Sequence, residues 1–267
     1  MFKTLIKIYL LPVFKIKRLY DHVRRFYFPP FYLSHMNAAC RVLNKLRSAE
    51  DAFIIVVVGA ADGDSSTTFA RSFKNVSIIA FEPVSETCEL FREKTKHLSN
   101  IKLLQKAISN KIGKIEVNVT GNFKSSSILK LNTDYNKNID FSKNLSFQKT
   151  ETVEMSTLDI ELKNYNNIDL IKLDVQGAEL QILKGASQTL KRTNIILTEM
   201  SNHDSYINSA KYFEVDAYLR NNDFKLYDLI PAGRNKDRIY EWNAVYLHDK
   251  CFKDITSPAC QNAVAGR

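Results

Sequence analysis

Six consecutive apolar residues, Phe53 to Val58, stop at Gly59 and give way to a helical pattern that begins at Asp64. A strand with no polar face must be covered on both sides, which is the situation of a parallel strand lying between helical layers. The chain repeats this arrangement. Apolar positions recur at helical spacing over 34–49, 64–73 and 85–97, with strand-like runs at 53–58, 76–81 and 101–105 between and after them. Gly113 then turns the chain into an excursion over 114–119. Beyond it, 168–173 and 194–200 read as strands, 178–190 and 211–221 as helices, and 224–229 and 244–248 as closing strands. Such alternation predicts a doubly wound α/β sheet. Between 120 and 148 Asn, Ser and Lys dominate and periodicity is weak, so this stretch is expected to be a long loop or insertion that covers a site as a lid.

At 267 residues, with 45% hydrophobic and 25% charged, the chain suits one sizeable globular domain with attachments. The expected division is a basic amphipathic extension over 1–33, the domain over 34–249 and a tail over 250–267. The net charge of +9 is unevenly placed, because residues 1–30 carry seven Lys and Arg against Asp21 alone, or 7 − 1 = +6 of it. The remainder is only mildly basic, which argues against a domain built to grip nucleic acid. Within the extension Ile16, Leu19, Tyr20, Val23 and Tyr27 recur at helical spacing. Two readings stand: a helix packed on the flank of the domain, or a basic helix lying on an anionic membrane surface. It is not expected to span, since the uncharged run 8–14 has only 7 residues and contains Pro12, whereas a span needs about 20. Nor does Phe28-Pro29-Pro30-Phe31 resemble a secretory cleavage site. Cys40, Cys88, Cys251 and Cys260 are scattered, with no metal-ligand spacing, and suggest reduced thiols in a cytoplasmic protein, peripheral on the inner membrane face if the extension binds there. No metal site is expected.

The chemistry begins where the first strand ends. Gly59-Ala60-Ala61-Asp62-Gly63 joins strand to helix through small residues that let backbone approach a ligand, and Glu82, 23 residues beyond Gly59, ends the next strand, where an acid can accept both hydroxyls of a ribose. Gly-x-Gly-x-x-Gly is absent, which disfavours a nicotinamide-dependent oxidoreductase. Asp174 lies at the carboxyl end of another strand, where open α/β sheets bind ligands. Alternation puts Lys172 on the same strand face, and a lysine in a doubly covered strand needs an anionic partner. Asp174 or Glu199 can supply it, either as a structural ion pair or as a means of tuning a base. Glu199 ends the following strand and His203 lies four residues on, either facing solvent or titrating near neutrality above the sheet edge. Glu179 favours its helix N-terminus electrostatically, with substrate contact as a second role.

These residues resemble the FkbM family of S-adenosylmethionine-dependent methyltransferases over roughly 53–247. Gly59-Ala60-Ala61-Asp62-Gly63 resembles the family's cofactor loop, Phe81-Glu82-Pro83 its ribose-binding turn, and Lys106-Ala107-Ile108-Ser109 with Gly113 its adenine-side loop. Ser125-Ser126-Ser127 is similar to its serine pair. Asp174-Val175-Gln176-Gly177-Ala178-Glu179, followed by Ile182-Leu183-Lys184-Gly185-Ala186, resembles its most characteristic block, and Leu197-Thr198-Glu199-Met200-Ser201 and Leu226-Tyr227-Asp228-Leu229 resemble later ones. The resemblance implies a Rossmann-like, mostly parallel seven-stranded sheet of the class I methyltransferase type and S-adenosyl-L-methionine as cofactor. It also implies methyl transfer to an oxygen of a sugar, polyketide or related metabolite. The cofactor contacts implied are Gly59, Ala60, Ala61, Asp62, Gly63, Glu82, Pro83, Ala107, Asp174 and Gln176. Ser125, Ser126 and Glu179 fall on the substrate side, and Asp174, Glu199, His203 and Lys172 are the catalytic candidates. A small-molecule or glycan acceptor follows, while nucleic acid is disfavoured because no aromatic-proline motif follows the Asp174 strand. Two positions depart from the family. Val57 stands where it usually has an acid two residues before the first glycine, and Asn243 where an acid more often precedes the last strand. Val57 motivates a second reading, a cofactor-fold scaffold or binding protein within a glycan-assembly complex.

Overall fold

Strand β1 (Phe53–Val58) has β2 (Val76–Phe81) hydrogen-bonded on one side and β7 (Ile168–Leu173) on the other, both parallel to it. The computed structural model describes residues 31–47, 51–136, 145–235 and 238–256, so the basic extension up to residue 30, positions 137–144 of the expected lid and the tail beyond 256 lie outside the described residues. Adding β3 (Ile101–Leu104), β8 (Thr193–Ser201), β9 (Phe224–Asn235) and β10 (Arg238–His248) gives a seven-stranded sheet of order β3-β2-β1-β7-β8-β10-β9. β10 runs antiparallel to β8 and to β9. Strand order reverses between β1 and β7, and a crevice opens above their carboxyl ends at such a point.

Alternation along β1 divides the core. Phe53, Ile55 and Val57 face a cluster with Met36, Ala39 and Leu43 of helix α1 (Phe31–Leu46) and Phe69 of α2 (Asp64–Ser72). Val56 and Val58 face the other layer, with Leu158 of α5 (Leu158–Glu161), Ile182 and Leu183 of α6 (Glu179–Lys184), Leu190 of α7 (Ser187–Leu190), and Val215 and Leu219 of α8 (Tyr212–Arg220). Helix α3 (Ser85–Thr95) sends Phe91 into the first cluster. Helix α9 (Asp249–Thr256) opens the tail, burying Cys251 and bringing the Phe252 ring against Tyr227.

Several elements differ from the sequence expectation. The run 178–190 is two short helices that part at Gly185, where a side chain would lie 2.2 Å from the Ser109 carbonyl oxygen. Strands β9 and β10 extend well past 224–229 and 244–248 as a bulged antiparallel pair, through stretches of mixed apolar and polar residues. The excursion after β3 becomes a second sheet, β4 (Ala107–Ile108), β5 (Gly113–Thr120) and β6 (Phe147–Ser156), in the order β4-β6-β5. β6 is polar and largely exposed, so it announces itself through its partner rather than through its own pattern. The segment 120–148 is not structureless where it is described. It holds a single turn at Phe123–Ser125, helix α4 (Thr133–Asn136) and the start of β6.

Asp169, an acid at the start of a buried strand, is 1% exposed. It accepts from the Arg47 guanidinium and the Ile54 N–H, both at 2.8 Å, and from the Asn167 and Asn194 amides. One carboxylate thereby ties the end of α1 to the starts of β1, β7 and β8. Asp169→Ala is expected to lower the unfolding free energy by roughly 2–3 kcal/mol, the range for buried hydrogen bonds to a charged group, as read by urea denaturation. A loss below about 0.5 kcal/mol would mean the carboxylate is not a structural tie.

Candidate active site

The turn after β1 is shaped by contact with the turn after β7. Asp174 donates its N–H to the Val58 carbonyl at 3.2 Å, and a side chain at position 59 would sit 1.9 Å from the Asp174 carbonyl oxygen. Gly59 at φ 75° is thus required by the meeting of two strand ends. Ala61 is also left-handed, at φ 47°, and is held there from outside. The Glu82 carboxylate accepts the Ala61 N–H through Oε2 and the Val84 N–H through Oε1, both at 3.0 Å. Burial pushes the Glu82 carboxyl up to about 7, against the pull of those two donors. Farther round the turn, Asp62 and Asp64 are bound by the ammonium groups of Lys94 and Lys124.

On β7 the Lys172 side chain is 2% exposed, and its ammonium lies 2.8 Å from Asp174 Oδ2. Between the two partners open on sequence grounds, the ion pair forms with Asp174. Burial raises the Asp174 carboxyl, but the Lys172 charge outweighs it and holds the group below its ordinary range. The Gln176 amide nitrogen lies 3.3 Å from Asp174 Oδ1 and 2.9 Å from Glu199 Oε2, bridging the two carboxyls. Gln176 occupies left-handed backbone at φ 57°. Glu199 is driven well above the usual range, by burial first and then by the negative charges of Glu241 and Asp174. The two carboxyls are thus shifted in opposite directions. His35, carried by α1, lines the same cavity, and burial followed by the Lys172 charge pushes its imidazole down to about 4.

The described part of the expected lid forms a roof. Asn118 and Ser127 pair across it, Leu131 bridges to Tyr206, and the Ser127 hydroxyl lies 3.1 Å from the Gln176 carbonyl. The Tyr206 hydroxyl donates to the Ser125 carbonyl at 2.6 Å, with Gln176 Oε1 at 3.2 Å. Lys124 reaches from the roof to Asp64 Oδ2 at 2.8 Å.

Beneath this roof lies a cleft in two halves that share Gly59, Ala61, Lys124 and Asp174. One half, of about 570 Å³, has walls of Phe81, Pro83, Val84, Ala107, Ile108 and Val117, with Glu82 among them. The other, of about 1130 Å³, is polar and includes His35, Lys172, Gln176, Glu199, Glu241 and Asn243.

The sequence model described as Methyltransferase FkbM domain matches residues 58–226. The chain belongs to the FkbM methyltransferase family. Among curated proteins it is 28% identical over 158 residues to the 2-O-methyltransferase NoeI of Sinorhizobium fredii (strain NBRC 101917 / NGR234), covering 57% of this chain and 65% of that protein. It is 27% identical over 157 residues to the methyltransferase sdnD of Sordaria araneosa, covering 50% of this chain and 60% of that protein. The matched region thus spans less than two thirds of either relative. A solved S-adenosylmethionine-dependent methyltransferase from Aquifex aeolicus aligns over 88% of this chain and 97% of its own, at 16% identity and a TM-score of 0.44.

The FkbM frame brings most of the expected site residues to one place. Gly59, Ala61, Glu82, Pro83, Ala107, Ser126 and Asp174 line the apolar half, while Ala60, Asp62, Ser125, Lys172, Gln176 and Glu199 line the polar half. Gly63 does not line the cleft; at φ 87° it backs onto Phe91 and Thr95 of α3. Glu179 turns inward, and its Oε1 accepts the N–H groups of Val175 and Gly177 at 3.1 and 3.2 Å, bracing the Asp174 turn. His203 is buried rather than solvent-facing and sits in side chambers beside Glu241. His35, Lys124, Tyr206 and Glu241 were absent from the sequence candidates. Only Glu241 had a signal there: it lies two residues before Asn243 on the same strand, and hence on the same face.

Burial is the main cause that raises Glu179, with the Asp174 charge adding to it, and its carboxyl stands at about 7. Because the folded value exceeds the unfolded one, this group's contribution to stability is complete below about pH 4.5 and declines as pH rises through 7. Glu179→Gln keeps the acceptor oxygen and loses the titration. Urea midpoints measured from pH 4 to 8 are expected to flatten in this variant, by up to roughly 1.4 kcal/mol for each unit of pKa separation removed.

Proposed function

We propose that this chain is an S-adenosylmethionine-dependent O-methyltransferase acting on a hydroxyl of a sugar, glycan or lipid-linked glycan precursor. The observation that carries the proposal is the divided cleft. Its apolar half suits an adenine ring, and Glu82 stands where the two ribose hydroxyls would meet a carboxylate that already accepts two backbone N–H groups and retains further lone pairs. The donor set of this chain therefore fits the cofactor's adenosine end. Asp174, Gln176 and the Asp62 turn would hold its amino-acid end, where Val57 offers no charge. Bound there, the cofactor supplies a methyl group activated on sulfur. The polar half supports an oxygen acceptor: it presents carboxyl, amide and imidazole groups suited to orienting hydroxyls, and fixed orientation supplies much of the rate in a displacement. The printed activity of NoeI, a 2-O-methyltransferase, supports the same acceptor atom. We place the enzyme in the cytoplasm, on the inner membrane face if the basic extension binds there. Among the described residues, no helix is long and apolar enough to cross a membrane.

The scaffold reading retains one observation in its favour, the apolar Val57, which lies beside Lys172 across the β1–β7 register. Calorimetry with S-adenosylhomocysteine separates the two readings. Binding by the wild type, weakened tenfold or more in Glu82→Ala (at least about 1.4 kcal/mol), is expected for the enzyme. Absence of heat at millimolar ligand would leave the scaffold. In a transfer assay against cell-envelope glycans and their lipid-linked precursors, Asp174→Asn is expected to lose turnover, and full retention would remove Asp174 from the catalytic residues. Deletion of residues 1–33 is expected to abolish co-sedimentation with anionic vesicles; unchanged co-sedimentation would end the membrane proposal.

A further inference from the structure

Methyl transfer to a neutral hydroxyl is helped by a base within hydrogen-bond reach. The carboxyls around the polar half differ in how far they are committed elsewhere. Asp174 is paired with Lys172 at 2.8 Å and contacted by Gln176. Asp62 and Asp64 are bound by Lys94 and Lys124. Glu199 accepts the Gln176 amide at 2.9 Å, and burial, then its acidic neighbours, push its carboxyl well above the usual range.

Glu241 differs from all of these. Its Oε2 lies 3.4 Å from His203 Nε2, its side chain is 25% exposed, and it lines the 1130 Å³ cavity together with two adjoining chambers of about 240 and 490 Å³. The imidazole behind it is oriented. His203 Nδ1 receives the Ser205 N–H at 3.4 Å, which turns Nε2 toward Glu241. His203 can thus steady the carboxyl group of Glu241. The chambers also contain buried hydroxyls in want of a partner. Ser205 Oγ and Ser209 Oγ have no hydrogen-bond partner among the described residues, and Ser205 is 1% exposed. Ser205 lines the larger chamber and Ser209 the smaller, each beside Glu241. Buried hydroxyls without partners are costly and point to a ligand that supplies them.

We propose that Glu241, positioned by His203, is the base that receives the acceptor's hydroxyl proton, and that the hydroxyls of Ser205 and Ser209 hold a neighbouring oxygen of the same acceptor. The inference rests on the methyltransferase reading above. As the O–H bond breaks, its proton passes to Glu241 and the oxygen pair forms the new O–CH₃ bond. The electrons of the S–CH₃ bond stay on sulfur, so the step balances without a further reagent. Glu241 lies beyond the region of the family match, and its strand is bulged on both sides of it, at Ile239/Glu241 and Glu241/Trp242.

Two measurements test this on the full chain with S-adenosylhomocysteine or labelled cofactor. In the S-adenosylhomocysteine complex, long-range ¹H–¹⁵N spectra are expected to show His203 protonated on Nε2 in the wild type. In E241Q its ring signals are expected to shift while S-adenosylhomocysteine affinity stays within about twofold. Unchanged ring signals would overturn the pair. In single-turnover transfer to a set of methyl glycosides, E241Q is expected to be slowed about 100-fold or more, with partial recovery in E241D. Transfer by E241Q at the wild-type rate would overturn Glu241 as base whatever the spectra show. A wild type that binds S-adenosylhomocysteine but methylates none of the glycosides would overturn the sugar acceptor alone, and the spectra then decide the pair. A wild type that binds no S-adenosylhomocysteine would overturn both.

Discussion

A lysine almost wholly removed from water, in the middle strand of a parallel sheet, is tolerated only beside an anion. Lys172 meets that requirement through Asp174, two residues along the same strand face. The pairing keeps Asp174 ionised in a buried place and aims its carboxyl away from the opposite helical layer, into the cleft. It also holds the strand's end where the β1 turn must cross it, so that only glycine fits at position 59. The glycine turn after β1 and the acidic turn after β7 are in this sense one construction.

Gln176 extends that construction sideways. By lying between Asp174 and Glu199 it links β7 to β8, and through the Tyr206 hydroxyl it reaches the roof at Ser125. Concentrating negative charge around a buried carboxyl raises the proton affinity of whichever group is least compensated, and here that group is Glu199.

Much of this was legible along the chain. The apolar runs at 53–58 and 168–173, the small residues after Val58 and the acids at 82, 174 and 199 each carry their meaning locally, because a strand end is where a sheet presents side chains to a ligand. Other parts had no local signature. β6 gains its place from pairing with β5, His35 from the docking of α1 on the sheet, and the burial of His203 from the roof above it. Glu179 opens its helix, where the sequence placed it, and its carboxyl also accepts the N–H groups of Val175 and Gly177 in the Asp174 turn. That outcome depends on φ values of 57° and 95° at Gln176 and Gly177, which residue types alone do not dictate.

The sequence by itself determined the layered α/β architecture, the family and the glycine turn after β1, because apolar periodicity and glycine placement act over a few residues. Only the tertiary structure decided which carboxyl is shifted down, which is shifted up and which faces the side chambers. Those properties arise from burial and from charges carried by α1, β7, β8 and β10, elements far apart in sequence that meet only when the sheet is assembled.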